Sequence, residues 1–349
     1  MKFNPLGQSA IQVPEICLGT MTFGEQNTQA EAFEQLSYAL DQGIYFWDTA
    51  EMYPVPPKPE TQGATEQIIG NWIAQNGQRD QLFIASKIAG PQQGGRHIRD
   101  GYTQFVESEI TAALDDSLKR LQTDYIDLYQ LHWPQRPTNF FGKLGYSNSD
   151  AHSQQDITPL EQTLVALSKE VEKGRIRHIG LSNETPWGTL KFLHLAEKLG
   201  LEKIVSVQNP YNLLNRSYEI GMAEIANYEG VGLLAYSPLA FGYLTGKFRD
   251  GARPANARVT LFSRFSRYSN PESVWATEQY AQLAEKHGLS LTQLALAYIK
   301  QQFFVTSTII GATNLSQLKE NIAAFDITLS DEILQGVEDI HRQQPNPAP

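Results

Sequence analysis

The chain has 349 residues, 41% of them apolar and 19% charged, which excludes a disordered segment and allows a sizeable core. Its formal charge is −10 with no basic block, which argues against a general nucleic-acid binder but leaves room for a local basic pocket that grips a phosphate. The single cysteine, Cys17, excludes an intrachain disulfide and fits a reducing compartment.

Taken in chain order, residues 2–13 alternate weakly around Leu6-Gly7-Gln8-Ser9 and predict a small hairpin. A strand is expected over 15–18, where Cys17 reads as a small buried apolar residue rather than a nucleophile. Phe33, Leu36 and Leu40 at helical spacing predict a helix over 31–42, stopped by Gly43. The second main strand spans 45–48, and a Pro-rich loop over 54–59 leads to a helix at about 64–74. The third strand spans 82–87 and is followed by a Gly-rich stretch over 90–101. Val106, Ile110, Ala113, Leu114, Ser117, Leu118 and Leu121 then form one apolar helical stripe.

The fourth strand covers 125–132, before a long loop to residue 157. Thr158-Pro159-Leu160-Glu161 predicts a helix start with a threonine cap and a capping box, and the helix ends near Lys173-Gly174. Strands are expected over 177–182, 204–209, 232–236 and 306–310. Helices are expected from Thr185-Pro186 to about 200, and over 217–228, 272–287, 290–301, 314–324 and 330–341. A second long loop runs from 237 to 270. The last residues, 344–349, are expected to fray.

Eight near-continuous apolar strands alternate with helices, as when a parallel sheet is covered on both faces. This predicts an α/β fold, a closed (β/α)8 TIM barrel with an N-terminal β-hairpin, built as a single domain over 1–349. A doubly wound open sheet is the alternative, but Leu18-Gly19-Thr20-Met21-Thr22-Phe23-Gly24 lacks the Gly-x-Gly-x-x-Gly that such a fold usually carries after its first strand. The long loops follow strands at their C-terminal ends, the face that carries chemistry in a barrel. The N-terminus has no apolar run, so no signal peptide is expected, and the longest uncharged stretch, Gly230 to Gly246, falls short of a membrane span. A cytoplasmic protein with no membrane and no nucleic-acid partner is expected.

Three consecutive strands finish on ionisable residues, Asp48, Lys87 and His132, and Tyr53 lies one loop step beyond the first. Taken singly, each reads as a structural group. Taken together at one end of a sheet, they point to one site. A free tyrosine has a pKa of about 10, too high for a good proton donor near neutrality. A lysine ammonium at about 4 Å is worth roughly 4 kcal/mol at an effective dielectric of about 20, so it lowers that pKa by roughly 3 units at most. Asp48 supplies the counter-charge, and His132 a hydrogen bond to a substrate oxygen. Such a set donates a proton to a carbonyl oxygen as a hydride reaches the carbon.

The array Asp48, Tyr53, Lys87 and His132 on eight β/α units resembles the aldo-keto reductases over essentially the whole chain. The resemblance implies an NADP(H)-dependent reductase of small-molecule carbonyl compounds, with Tyr53 as proton donor. It implies that Ser182 and Asn183 of Gly180-Leu181-Ser182-Asn183, with Gln208, reach the nicotinamide amide. It implies that Tyr236 stacks on the nicotinamide ring while Ser237, Pro238, Leu239, Ala240, Gly242 and Leu244 wrap the pyrophosphate. Lys247 and Arg258 resemble the positions that grip a 2′-phosphate. Gly311, Thr313, Gln317, Glu320 and Asn321 resemble the segment at the adenosine end, and Gly19 and Thr20 complete the cofactor set.

The glycines would let backbone N–H groups approach a phosphate, and a helix starting at Asn314 offers its positive end to the same anion. Met21, Trp133, Phe140 and Phe141 are candidate substrate walls. The Pro-rich insertion after Tyr53 departs from the short glycine-containing turn of many relatives and bears on the substrate pocket. No metal is expected, because the histidines form no His-Glu-x-x-His and one cysteine cannot make a thiolate zinc site. A barrel hydrolase would leave Lys87 and Tyr236 without a role. A cofactor-sensing protein with little turnover is the other alternative.

Overall fold

The apolar runs become strands and the amphipathic stretches between them become helices. The computed structural model describes residues 1–91, 97–153 and 155–349. The middle of the Gly-rich stretch expected over 90–101 lies outside the described residues. The strands are β1 (Phe3–Pro5), β2 (Gln12–Pro14), β3 (Ile16–Gly19), β4 (Phe46–Asp48), β5 (Phe83–Ile88), β6 (Ile126–Leu131), β7 (Ile176–Ser182), β8 (Ile204–Pro210), β9 (Gly232–Tyr236) and β10 (Val305–Ile310). β1 and β2 pair antiparallel, as the expected hairpin. β3 to β10 close into an eight-stranded parallel barrel, with β10 returning to β3 through Thr308↔Ile16, Ile309↔Cys17 and Ile310↔Leu18.

Inward-facing side chains fill the barrel: Cys17, Phe46, Phe83, Ala85, Leu128, Val205, Leu234 and Ile309 form one apolar cluster. Leu6 and Val13 of the hairpin join this cluster, so the hairpin plugs one end of the barrel. Cys17 is fully buried, and burial pushes its thiol well above the ordinary range. The helices bury their stripes against the outside. In Glu107–Leu121 the buried set is Ile110, Ala113, Leu114, Ser117 and Leu121, as its spacing required. Each large apolar side chain removed from water contributes about 1.5–3 kcal/mol.

Four local expectations are corrected. The helix Leu160–Glu172 starts one residue late, with Pro159 as its N-cap in extended conformation and no side-chain cap. Thr158 therefore sits one position too early for a capping box, and its buried hydroxyl finds no partner among the described residues. The helix expected over 217–228 breaks into a turn, Ser217–Glu219, and a helix, Met222–Glu229, because Gly221 adopts φ +88° between them. The loop after β9 holds short helical turns at Ala240–Thr245, Arg249–Gly251 and Arg258–Leu261.

The C-terminal tail does not fray. Arg216 N donates to Asn346 Oδ1 at 2.7 Å, Asn270 Nδ2 to Pro347 O at 2.9 Å, and Ala348 N to Leu214 O at 3.1 Å. Ala348 is 2% exposed. A buried alanine and three hydrogen bonds outweigh the chain entropy that an unanchored end would keep.

Candidate active site

The barrel brings the expected ionisable residues to the C-terminal ends of adjacent strands. Register pairs Asp48 with Ala85, so Lys87, two residues further along β5, reaches over the end of β4. Lys87 is fully buried, and its Nζ donates to Asp48 Oδ2 at 2.7 Å and to Thr49 O at 2.7 Å. The other carboxylate oxygen, Asp48 Oδ1, accepts from Gln208 Nε2 at 2.8 Å and from Gln130 Nε2 at 3.3 Å. Burial alone would depress the Lys87 ammonium. Asp48 and Tyr53 more than offset it and hold the group above its usual value, so Lys87 stays charged.

The Lys87 ammonium faces the Tyr53 ring at 4.8 Å from its centroid, and the Tyr53 and His132 rings meet edge-to-face at 5.7 Å. Here one expectation is corrected. Lys87 does lower the Tyr53 pKa, but burial raises it by more and Asp48 adds to the rise, so the phenol sits above its ordinary value of 10.0. Burial and the Lys87 charge together push His132 well below 6.5, so its imidazole is neutral near pH 7.

One cavity of about 1220 Å³ opens above these groups, beyond the roughly 300–1,000 Å³ of a single drug-sized ligand site. Asp48, Tyr53 and His132 line it, while Lys87 lies just beneath. Met21, Trp133, Phe140 and Phe141 line it as well, with Trp133 packed between His132 at 4.9 Å and Phe141 at 5.7 Å. Most of the expected cofactor residues line the same cavity: Gly19, Thr20, Ser182, Asn183, Gln208, Tyr236 to Leu239, Gly242, Lys247, Arg258, Gly311, Thr313, Gln317, Glu320 and Asn321. Ala240 and Leu244 are fully buried and lie off its wall.

The rim residues orient one another. Thr20 Oγ1 donates to Asp48 O at 2.8 Å, and Ser182 Oγ to Gln208 O at 2.8 Å. Asn183 Nδ2 donates to His132 O at 2.8 Å, and the Tyr236 hydroxyl to Asn183 Oδ1 at 2.6 Å. Asn183 and Gln208 are thereby fixed in orientation before any ligand binds.

A nicotinamide dinucleotide fits this wall on three counts. Lys247 and Arg258 lie close enough to repel, and neither has a carboxylate partner among the described residues. Burial lowers Lys247, with Arg258 adding to the effect, and burial lowers Arg258 to about 10. Two unpaired cations in one pocket call for an anion. At Gly311 a Cβ would meet nothing closer than Gly19 O at 3.8 Å, so neither packing nor backbone demands glycine there, and a side chain would only fill the cavity. Asn314 caps the helix Leu315–Ala323, whose positive end faces the same space.

Two groups escaped the sequence reading. Gln130 braces Asp48 from within β6, and its only signal was a polar residue inside an apolar strand. Arg267 and the tail residues Pro347, Ala348 and Pro349 line the cavity, and nothing in their spacing announced it. No group of metal-ligating side chains occurs among the described residues, and no helix among them is long and apolar enough to cross a membrane.

The family model described as "Aldo/keto reductase family" matches residues 15–342. The chain is 53% identical to "Protein tas" of Escherichia coli across the full length of both. It is 29% identical to the "L-glyceraldehyde 3-phosphate reductase" of Escherichia coli, over 97% of this chain and 92% of that one. It is 30% identical to a "Probable voltage-gated potassium channel subunit beta" of Arabidopsis thaliana, over 99% of this chain and 98% of that one.

Proposed function

This chain belongs to the aldo/keto reductase family, and we propose that it is an NADP(H)-dependent oxidoreductase that reduces a small aldehyde or ketone to an alcohol, the whole chain acting as one barrel domain. The observation that carries this reading is the buried Lys87 ammonium, held at 2.7 Å from Asp48 and facing the Tyr53 ring at 4.8 Å on the floor of the cavity. Supporting it are the unpaired Lys247 and Arg258 and the open wall at Gly311, where the 2′-phosphate and the backbone of the dinucleotide would lie.

When bound, a reduced nicotinamide supplies the hydride. Tyr53 donates the proton. Burial keeps its phenol protonated at neutral pH, so the proton is in place when negative charge builds on the carbonyl oxygen. Lys87 then stabilises the tyrosinate left behind, and Asp48 keeps Lys87 charged and aimed. Neutral His132 carries one N–H donor and orients the carbonyl oxygen without competing as an acid. Tyr53 regains its proton from solvent through the cavity mouth. Trp133, Phe140 and Phe141 supply an apolar wall on the substrate side.

A second reading, a cofactor-binding regulator with little turnover, is favoured by the likeness to a protein named as a channel subunit. One experiment separates the two. In Tyr53→Phe, carbonyl reduction is expected to fall about 10²–10⁴-fold, the usual contribution of a general acid, while NADPH affinity holds. A rate that persists in the variant contradicts the assignment of Tyr53. A wild type that binds NADPH but reduces no carbonyl in a broad panel favours the regulator.

A further inference from the structure

We propose that Arg267 is an anion-binding subsite for the substrate, and that this enzyme therefore acts on carbonyl compounds bearing a carboxylate or phosphate; the inference rests on the reductase reading above. Arg267 lies on the segment after β9 and lines the same cavity as Tyr53 and His132. The phenols of Tyr236 and Tyr268 lie against its guanidinium, and it faces the rings of Phe241 at 5.7 Å and Tyr268 at 6.0 Å. These neighbours hold its position, yet none neutralises its charge. On the same segment Arg249 pairs with Glu278 and Glu285, but no aspartate or glutamate pairs with Arg267 among the described residues. Its Nη1 is buried with no hydrogen-bond partner among the described residues. A half-buried guanidinium held by aromatic neighbours, with one nitrogen unsatisfied and no acidic side chain paired to it, is suited to a ligand that brings negative charge.

One neighbour of Arg267, Tyr236, belongs to the wall assigned to the cofactor, but its other contacts run to the substrate side. A Cβ on Gly142 would lie 3.1 Å from Arg267 Nε and 3.7 Å from Pro349 O, so Arg267, the loop after β6 and the C-terminal tail converge there. From Gly142 the wall runs back through Phe141 to Trp133 and on to His132. A substrate whose carbonyl oxygen meets His132 and Tyr53 thus has an aromatic wall leading to Arg267. The positions assigned above to the cofactor's phosphates, Lys247 and Arg258, are separate cations with separate neighbours. The guanidinium fork suits the two oxygens of a carboxylate or a phosphate alike.

The test compares matched aldehydes that differ in one anionic group: para-carboxybenzaldehyde against benzaldehyde, and glyceraldehyde phosphate against glyceraldehyde. In the wild type, kcat/KM for at least one charged member is expected to exceed that for its neutral partner by about tenfold or more, equivalent to about 1.4 kcal/mol of added transition-state binding. The pair that shows the preference identifies carboxylate or phosphate. In Arg267→Gln the ratio is expected to collapse towards one, mainly through KM of the charged member, and Arg267→Lys is expected to restore part of it. NADPH Kd is measured on the same proteins. Active wild type with no preference in either pair overturns this inference alone. So does an Arg267→Gln variant that keeps the preference, or one in which both members of a pair fall together as NADPH Kd rises, since Arg267 would then serve the cofactor. A wild type that reduces no aldehyde overturns the reductase reading itself.

Discussion

Lys87 tolerates complete burial because Asp48 and Thr49 meet its ammonium, and Asp48 in turn is held by Gln208 and Gln130. Asp48, Lys87 and His132 were legible in the sequence because each closes an apolar run at the same end of the sheet, and Tyr53 because it follows Asp48 by one loop step. The brace behind them was not, since a glutamine inside a strand signals burial but not which carboxylate it meets. The direction of the Tyr53 shift was also illegible, because it depends on how completely the fold buries the phenol. The shifts fix a pH profile. His132, lowered well below 6.5, stays neutral at and above that pH, and Tyr53, raised above 10.0, keeps its proton up to and past that value. At saturating NADPH, kcat for reduction is therefore expected to be flat from about pH 6.5 to pH 10 and to fall only beyond, as Tyr53 deprotonates. Saturation matters because Lys247 and Arg258 are both lowered by burial and lose charge on the same alkaline limb. A kcat inflection between pH 7 and 8 would contradict the neutral His132 and protonated Tyr53.

Among the elements, the strands and the helices with strong stripes stood where their patterns put them, because burial on one face leaves a period that sequence displays. Failures came where a backbone detail decided. Thr158 stands one residue before the true cap, and Gly221 breaks a stretch that reads as one helix. The tail is the largest such failure. Asn346, Pro347 and Ala348 look like a loose Pro-rich end, yet their anchors, Arg216, Asn270 and Leu214, lie far away in sequence, so no local pattern could reveal them. Those anchors make the tail a wall of the cavity. Deleting residues 346–349 removes three hydrogen bonds of about 0.5–1.5 kcal/mol each. The truncated protein is expected to unfold at lower urea concentration, and to show a raised KM for carbonyl substrate with a smaller change in kcat. An unchanged KM and urea midpoint would mean that the tail neither anchors nor lines the site.

At the scale of the whole molecule, the chain carries a formal charge of −10 but concentrates cations in one place. Lys247, Arg258, Arg264 and Arg267 all line the cavity, and none of them has an aspartate or glutamate partner among the described residues. Net charge argued against a general nucleic-acid binder without speaking to this pocket, whose character depends on the segment after β9 folding over the barrel mouth. The barrel itself was legible because eight apolar strands alternate with helices and no Gly-x-Gly-x-x-Gly follows the first to favour an open sheet, and the family model over residues 15–342 agrees with it. The central claim is that this mouth holds NADP(H) against Tyr53, and its most direct test is a fluorescence titration of the purified protein with NADPH and NADH in parallel. Tyr236 and the buried Trp133 both line the cavity proposed to take the nicotinamide, so binding is expected to quench protein emission. Saturable NADPH binding is expected, at least about tenfold tighter than NADH, or about 1.4 kcal/mol, with the gap narrowed in Lys247→Met. Failure of either dinucleotide to bind would contradict it.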